Sequence, residues 1–230
     1  RLQSLGAATD QLHVTGSIKF DGVATDRGNP ATDRLRQLFS LSAAETVFMA
    51  GSTQEPEEQI AIQAWLECRR EYPSLRLILV PRHRERFDSV AKLVRDAGVE
   101  LVRRSTLEPL ADRPSGAVIL LDTIGELSAC WGLADIAFVG GSFGNRGGQN
   151  MIEPAAFGAA VLFGPNTRNF RDVVQAFKEA DACLQLQEPE ELSPTLARLL
   201  SDQAERYFLG AAAQNTVMAQ AGATARTATL

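Results

Sequence analysis

Apolar and polar positions follow two interleaved periods along this chain. Short continuous apolar runs at 46–50, 75–80, 99–102, 118–121, 136–139, 161–163 and 183–186 predict strands. Between them, apolar residues recur at helical spacing, as in Leu35, Leu38 and Phe39, or Ile60, Ala64, Trp65 and Cys68, or Val90, Leu93 and Val94. Further helices are expected over 124–133, 151–157, 169–180, 189–200 and 202–220. Strands that are apolar at every position are buried on both faces. The βαβα order therefore predicts an α/β fold, Rossmann-like, with a mostly parallel sheet and helices on both faces. Right-handed crossovers would then bring every strand-following loop to one edge.

The stretch 16–30 is rich in Gly, Asp and Thr and reads as a linker. The expected organisation is the end of a preceding domain plus an interdomain linker over 1–30, the α/β domain over 31–202, and a helical tail over 203–230. The chain opens at Arg1 without Met, and residues 1–6 read as the last turn of a helix with a glycine stop. A trimmed or processed chain is the expectation.

Composition narrows the class. The 230 residues are 45% hydrophobic and 22% charged, with a net charge of −5, which fits a globular chain and disfavours a nucleic-acid partner. No apolar run approaches the ~18–20 residues that span a bilayer. Cys68, Cys130 and Cys183 are widely spaced among apolar neighbours and read as core residues. No Asp/His cluster has ligand spacing, so neither a metal nor a cofactor is expected.

The densest chemical signal is Gly140-Gly141-Ser142-Phe143-Gly144-Asn145-Arg146-Gly147-Gly148-Gln149-Asn150, where five of the chain's 18 glycines occupy positions 140–148. A glycine-rich strand-to-helix loop lets backbone amides approach a phosphate. Its spacing is neither the dinucleotide fingerprint G-x-G-x-x-G nor a P-loop, which disfavours an oxidoreductase. Glu153, in the first turn of the next helix, suits two vicinal ribose hydroxyls, or simply the helix dipole. Ala50-Gly51-Ser52-Thr53 also follows a strand, and its hydroxyls serve either an anion or a helix cap. Pro81-Arg82-His83, with Arg84 and Arg86, makes a local basic site suited to phosphate or a plain solvated turn. His83 has no placed partner for acid–base work. Gly125-Glu126 opens another post-strand loop. The acidic turn Glu55-Pro56-Glu57-Glu58 complements the start of its own helix. All four candidate loops belong to the carboxyl edge, where open α/β sheets bind ligands.

These segments, with Asp122-Thr123-Ile124-Gly125-Glu126-Leu127 and the opening Val14-Thr15-Gly16-Ser17-Ile18-Lys19-Phe20-Asp21, resemble the carboxyl-terminal half of the 3-deoxy-D-manno-octulosonic acid (Kdo) transferases over about residues 1–202. The resemblance implies a donor-binding half of a two-domain GT-B glycosyltransferase. Such enzymes move Kdo from CMP-Kdo to a lipid A precursor in lipopolysaccharide synthesis, at the cytoplasmic side of the bacterial inner membrane. It implies that Ser52, Arg82 and the loop residues Gly141, Ser142, Gly147, Gly148, Gln149 and Asn150 hold the CMP phosphate, with Thr53 and His83 also among the nucleotide-binding residues. Glu153 would hold the ribose, with Pro81, Gly125 and Glu126 near the cytosine. Some members carry His where this chain has Gln149. The family's general base is a glutamate of the amino-terminal half, so these residues are expected to bind nucleotide without transferring sugar. Another GT-B transferase or a nucleotide-sugar epimerase, and a non-catalytic nucleotide-binding module, are the alternatives; base preference and the presence of a placed carboxylate separate them.

Overall fold

The computed structural model describes residues 3–107 and 116–230. Within them a seven-stranded sheet has the order β3-β4-β2-β1-β5-β6-β7, with every pairing parallel. The strands are β1 (Thr46–Thr53), β2 (Leu75–Pro81), β3 (Leu101–Arg103), β4 (Val118–Leu120), β5 (Ile136–Val139), β6 (Ala160–Phe163) and β7 (Leu184–Gln185). The expected strands are all present, with ends shifted by at most three residues and β5 matching at both ends. The polar loop ahead of β4 runs partly through residues outside the described ones, as do Arg1 and Leu2 of the anticipated opening turn.

Helices cover both faces because the strands are apolar on both. On β1, Phe48 and Ala50 point to a core shared with α2 (Glu57–Cys68), α3 (Phe87–Asp96) and α7 (Leu192–Ser201). Val47 and Met49 point to the opposite core, which holds α1 (Pro30–Leu38), α4 (Leu127–Trp131), α5 (Ile152–Ala156) and α6 (Arg171–Glu179). Each fully buried Leu or Phe contributes about 1.5–3 kcal/mol relative to exposure. Buried Trp65 donates its indole N–H to the Leu75 carbonyl at 3.0 Å, fixing α2 to the start of β2. Burial pushes the Cys130 thiol up, and it raises those of Cys68 and Cys183 to about 11, consistent with unreactive core positions.

Two local expectations change. Residues 50–53 do not leave the sheet: β1 continues to Thr53, with an irregular register between Gly51 and Thr53. Next to β4, the helix expected over 124–133 is only Leu127–Trp131, because Gly125 turns with φ +88° and delays it.

The last elements, α8 (Gln203–Gln220) and α9 (Ala223–Ala228), return to the opening segment. Leu209, Ala213 and Val217 of α8 are buried, and Gln214 donates to the Ala156 carbonyl at 2.8 Å. The Asp21 carboxylate accepts from the amides of Gly222, Ala223 and Thr224 at 2.6, 3.3 and 2.7 Å, and from the Thr224 hydroxyl at 2.5 Å. Arg226 donates to the Thr15 carbonyl at 2.8 Å, and the Thr15 and Thr227 hydroxyls lie 2.9 Å apart. Residues 15–21 are thereby fastened to the start of α9.

The bonds from Thr224 and Gly222 hold the Asp21 carboxyl down to about 2. A depressed acid stabilises the fold above its unfolded value, about 4, and that contribution fades as pH falls toward 2. The Thr224 amide resonance should therefore titrate with a midpoint near 2 rather than near 4. Asp21→Asn should show faster amide exchange across α9 at neutral pH; unchanged exchange would contradict the clamp.

Candidate functional site

All seven strands run the same way, so the loops after β1, β2, β4, β5 and β6 share one edge. The strand order reverses between β1 and β5, since β2, β3 and β4 are added to one side of β1 and β5, β6 and β7 to the other. A crevice opens at the carboxyl ends of two such strands. Gly140 lines it with backbone only: a Cβ there would meet Thr53 Cα at 2.5 Å, Glu57 Oε2 at 2.6 Å and the Ser52 carbonyl at 2.8 Å.

Packed against Gly140 is an internal carboxylate. Glu57, at the first position of α2, is 1% exposed. Its Oε2 accepts from the amides of Gly141 at 2.7 Å and Gln54 at 2.9 Å, and its Oε1 from those of Ser142 at 2.9 Å and Phe143 at 3.0 Å. Gly141 turns with φ +67°, which aims successive amides at one point, an anion-binding nest. The sequence reading assigned those amides to a nucleotide phosphate; the structure corrects this, because Glu57 already occupies them. Ser142 is likewise internal. Its hydroxyl donates to the Val139 carbonyl at 2.8 Å and accepts from the Gly164 amide at 2.9 Å, tying the loops after β5 and β6 together.

In the second half of the glycine loop Gly144, Asn145 and Arg146 are exposed, Gly147 and Gly148 are buried, and Gln149 and Asn150 are half-buried. The Gly148 amide donates to the Gly141 carbonyl at 2.8 Å, closing the loop on itself. Asn169 and Arg168 bind its carbonyls from outside, at Arg146 (2.8 Å) and Asn145 (2.7 Å). Gly147 and Gly148 both take positive φ, and the Gln149 side chain lies over Gly141. Asn150 donates to Glu153 Oε1 at 2.7 Å and accepts from the Ile152 amide at 3.1 Å, so it starts α5 and orients Glu153 together. Oε2 of Glu153 has no protein hydrogen bond among the described residues. A cavity of about 250 Å³ beside this half is lined by Asn145, Gly147, Asn166, Thr167, Arg168 and Arg171.

Across the crevice, Ser52 is 8% exposed and held at φ +54°, a region that costs a non-glycine residue of order 1–3 kcal/mol. Such strain collects at functional positions. Thr53 instead points into the protein, with its hydroxyl 3.5 Å from the Val80 carbonyl. Pro81 is buried as the last residue of β2, and the Arg82 amide donates to the Thr53 carbonyl at 2.9 Å. The Arg82 and His83 side chains are exposed beyond it. The basic cluster is smaller than its sequence suggests. Arg86 is bonded to buried Glu58 at 2.9 and 3.4 Å and to Glu55 at 2.9 Å. Burial would lower the Arg86 guanidinium, but the two glutamates outweigh it and raise it. Arg82 and Arg84 remain.

The loop after β4 is braced by residues that motif reading passed over. Asp122 accepts from Arg103 Nε at 2.6 Å and from the Ser105 amide and hydroxyl at 2.7 and 2.6 Å. Burial would raise the Asp122 carboxyl; the Ser105 and Arg103 bonds more than offset that and keep it low. Arg104 bonds Glu126 at 2.8 Å, and Thr123 also hydrogen-bonds Glu126. Glu126 is therefore engaged within the protein, while Gly125 and Ile124 project toward solvent, Ile124 at 76% exposure. Among the described residues, no group of three or more His, Cys, Asp or Glu side chains is placed to hold a metal ion. Nor is any described helix long and apolar enough to cross a membrane.

A strained serine, an exposed arginine, an exposed glycine turn and a half-free carboxylate thus belong to loops that follow parallel strands. No family model matches the chain. Over 227 residues it is 35% identical to the 3-deoxy-D-manno-octulosonic acid transferase of Haemophilus influenzae, a match covering 98% of this chain and 52% of that protein. The transferase of the same name from Bordetella pertussis is 36% identical over 226 residues, covering 96% and 51%. The chain spans about half the length of these curated relatives. Among solved structures, the C-terminal CMP-Kdo binding domain of WaaA from Acinetobacter baumannii superposes with a TM-score of 0.73 at 30% identity, covering 81% of this chain and 95% of that domain.

Removing the internal carboxylate should be costly. Glu57→Ala would strand four amides, three of them in the glycine loop, at about 1–3 kcal/mol for each buried donor left unpaired. A loss of about 3 kcal/mol or more in urea unfolding is expected. A loss under about 1 kcal/mol, the size of an ordinary surface change, would mean that Glu57 does not hold this loop.

Proposed function

Because the chain belongs to the 3-deoxy-D-manno-octulosonic acid transferase family, we propose that it is the donor-binding half of a GT-B glycosyltransferase and takes CMP-Kdo at the β1/β5 crevice. The observation that carries this reading is the 30% identity and near-complete coverage of a CMP-Kdo binding domain, with the exposed polar groups of four post-strand loops meeting at one edge. The ribose hydroxyls bond the free oxygen of Glu153, whose other oxygen is fixed by Asn150. Ser52 and Arg82 contact the phosphate, and the Arg82 guanidinium neutralises charge as the phosphate departs. The cytosine lies toward Pro81 and the Gly125 turn. Gly147, Gly148 and Gln149 form the wall opposite Ser52. Arg168 and Arg171, beside the cavity at the glycine loop, suit the carboxylate of an acidic sugar.

In the intact enzyme the acceptor is a lipid A precursor, and the reaction belongs to lipopolysaccharide synthesis at the cytoplasmic side of the inner membrane. A carboxylate of the amino-terminal half deprotonates the acceptor hydroxyl, while this domain orients the donor and stabilises the leaving CMP.

Calorimetric titration should find CMP bound more tightly than UMP, with no saturable NADH binding. Glu153→Ala should weaken CMP roughly tenfold or more, as befits loss of hydrogen bonds to a charged group. A preference for UMP would move the chain to another nucleotide-sugar donor. Incubating these 230 residues with CMP-Kdo and lipid acceptor should give no product, and sustained turnover would overturn the division of labour between the halves.

A further inference from the structure

The sheet edge opposite the loops described above carries a separate cavity. Asp135 immediately precedes β5 and Gly158 lies two residues before β6, so both mark the amino ends of those strands. With Arg27, Arg206, Tyr207 and Gln214 they line about 530 Å³. α8 rests directly on this corner, since a Cβ at Gly210 would meet the Gly158 carbonyl oxygen at 2.2 Å. Two guanidinium groups share the cavity, and protein acids do not match them. Arg206 is 9% exposed and forms no ion pair among the described residues; its neighbour Glu205 is taken by Arg198 at 2.9 Å. Arg206 Nη1 donates to the Leu199 carbonyl at 2.7 Å, in the last turn of α7, where the helix offers only a partial negative charge. Arg206 Nε is buried and has no hydrogen-bond partner among the described residues. Arg27 donates from Nε to the Phe157 carbonyl at 2.5 Å and from Nη2 to the Ala134 carbonyl at 2.6 Å. Its one carboxylate is Asp135, 3.5 Å away, whose other oxygen accepts from the Val47 amide at 2.8 Å. Burial pulls the Arg27 guanidinium below its ordinary value, and Asp135 offsets only part of that pull. Buried charges are ordinarily paired; here two cations answer to one acid.

We infer that this cavity binds a phosphate monoester between Arg27 and Arg206, at a site separate from the donor edge and independent of the nucleotide reading. A carboxylate presents one edge and is satisfied by one guanidinium fork. A phosphate monoester has three terminal oxygens, which two arginines arriving from different elements can divide, here the segment before α1 and the start of α8. The Tyr207 hydroxyl accepts from Gln203 Nε2 at 2.9 Å, so its own proton is free to donate to the anion. Gln214 spends its amide donors on the Thr25 and Ala156 carbonyls at 3.2 and 2.8 Å, which leaves its oxygen for a hydroxyl of the esterified part. The ligand thereby supplies the counter-charge that Arg206 lacks. Tyr207 and Phe208 are both exposed beside the cavity, so the ester belongs either to a soluble metabolite or to a lipid headgroup, and the two sources share the same recognition chemistry.

The test is an NMR titration of this chain with inorganic phosphate and with glycerol 3-phosphate, against chloride at equal ionic strength. Both phosphates should shift the Arg27 and Arg206 Nε–H resonances and the Gly158 amide, saturating at roughly millimolar concentration. Arg206→Gln should weaken that binding roughly tenfold or more, as befits loss of charged hydrogen bonds. Tyr207→Phe, at an exposed position, should weaken it by a smaller factor, so the outcome does not hang on whether Arg206→Gln folds. Co-sedimentation with vesicles containing phosphatidic acid, reduced in either variant, would assign the ester to a lipid headgroup. Binding of glycerol 3-phosphate without co-sedimentation would assign it to a soluble metabolite. Shifts matched by chloride, shifts confined to the loops at the opposite edge, or an affinity unchanged in every variant that folds would each overturn the inference.

Discussion

A single buried carboxylate on four backbone amides organises the functional edge of this domain. Glu57 belongs to α2, and three of its partners belong to the loop after β5. The two strands that bracket the reversal of the sheet are thus locked together above their last ladder bonds. Gly140 lets the backbones close to that distance, and Ser142 extends the fastening to the loop after β6. A charge buried against dipoles alone is sustained only when each oxygen is satisfied, which is the case here with two donors apiece. The neighbouring loops are packed around this centre.

The same economy recurs at the loops farther along the edge. Asp122, Arg103 and Ser105 brace the turn that carries Gly125, and Arg104 restrains Glu126. Asn150 shapes Glu153. Glu126 is thereby engaged within the protein and Glu153 at one of its two oxygens, and the groups left outward include Arg82, His83, Arg84, the second oxygen of Glu153 and the Gly125 turn. Fewer free charges in a preformed rim mean less reorganisation when an anionic ligand arrives.

The architecture was readable from sequence because its signal is collective. Seven apolar runs separated by helical spacing admit one sheet class, and no single residue decides it. The site was readable at the level of loops and less so at the level of atoms. Position 57 looks like any first-turn acid favourable to a helix dipole; that its partners lie some 84 to 86 residues later is a tertiary fact with no local trace. Likewise Arg82, Arg84 and Arg86 form one basic string, and only folding separates the third by presenting Glu58 and Glu55 to it. Thr53 and Ser52 are chemically alike and adjacent, yet the irregularity between Gly51 and Thr53 leaves Ser52 unpaired at positive φ while Thr53 points inward.

The fastening of residues 15–21 to α9 has a mechanical meaning. Tension applied between the segment before Thr15 and the segment after Thr227 would load the Asp21 and Arg226 bonds in the first instance. Buried Phe20 and the 3.1 Å bond from Lys19 to the Asn169 carbonyl share that load, and Asn169 in turn holds the glycine loop. A pull on residues 15–21 is therefore felt at the edge that carries the glycine loop as well as at the start of α9.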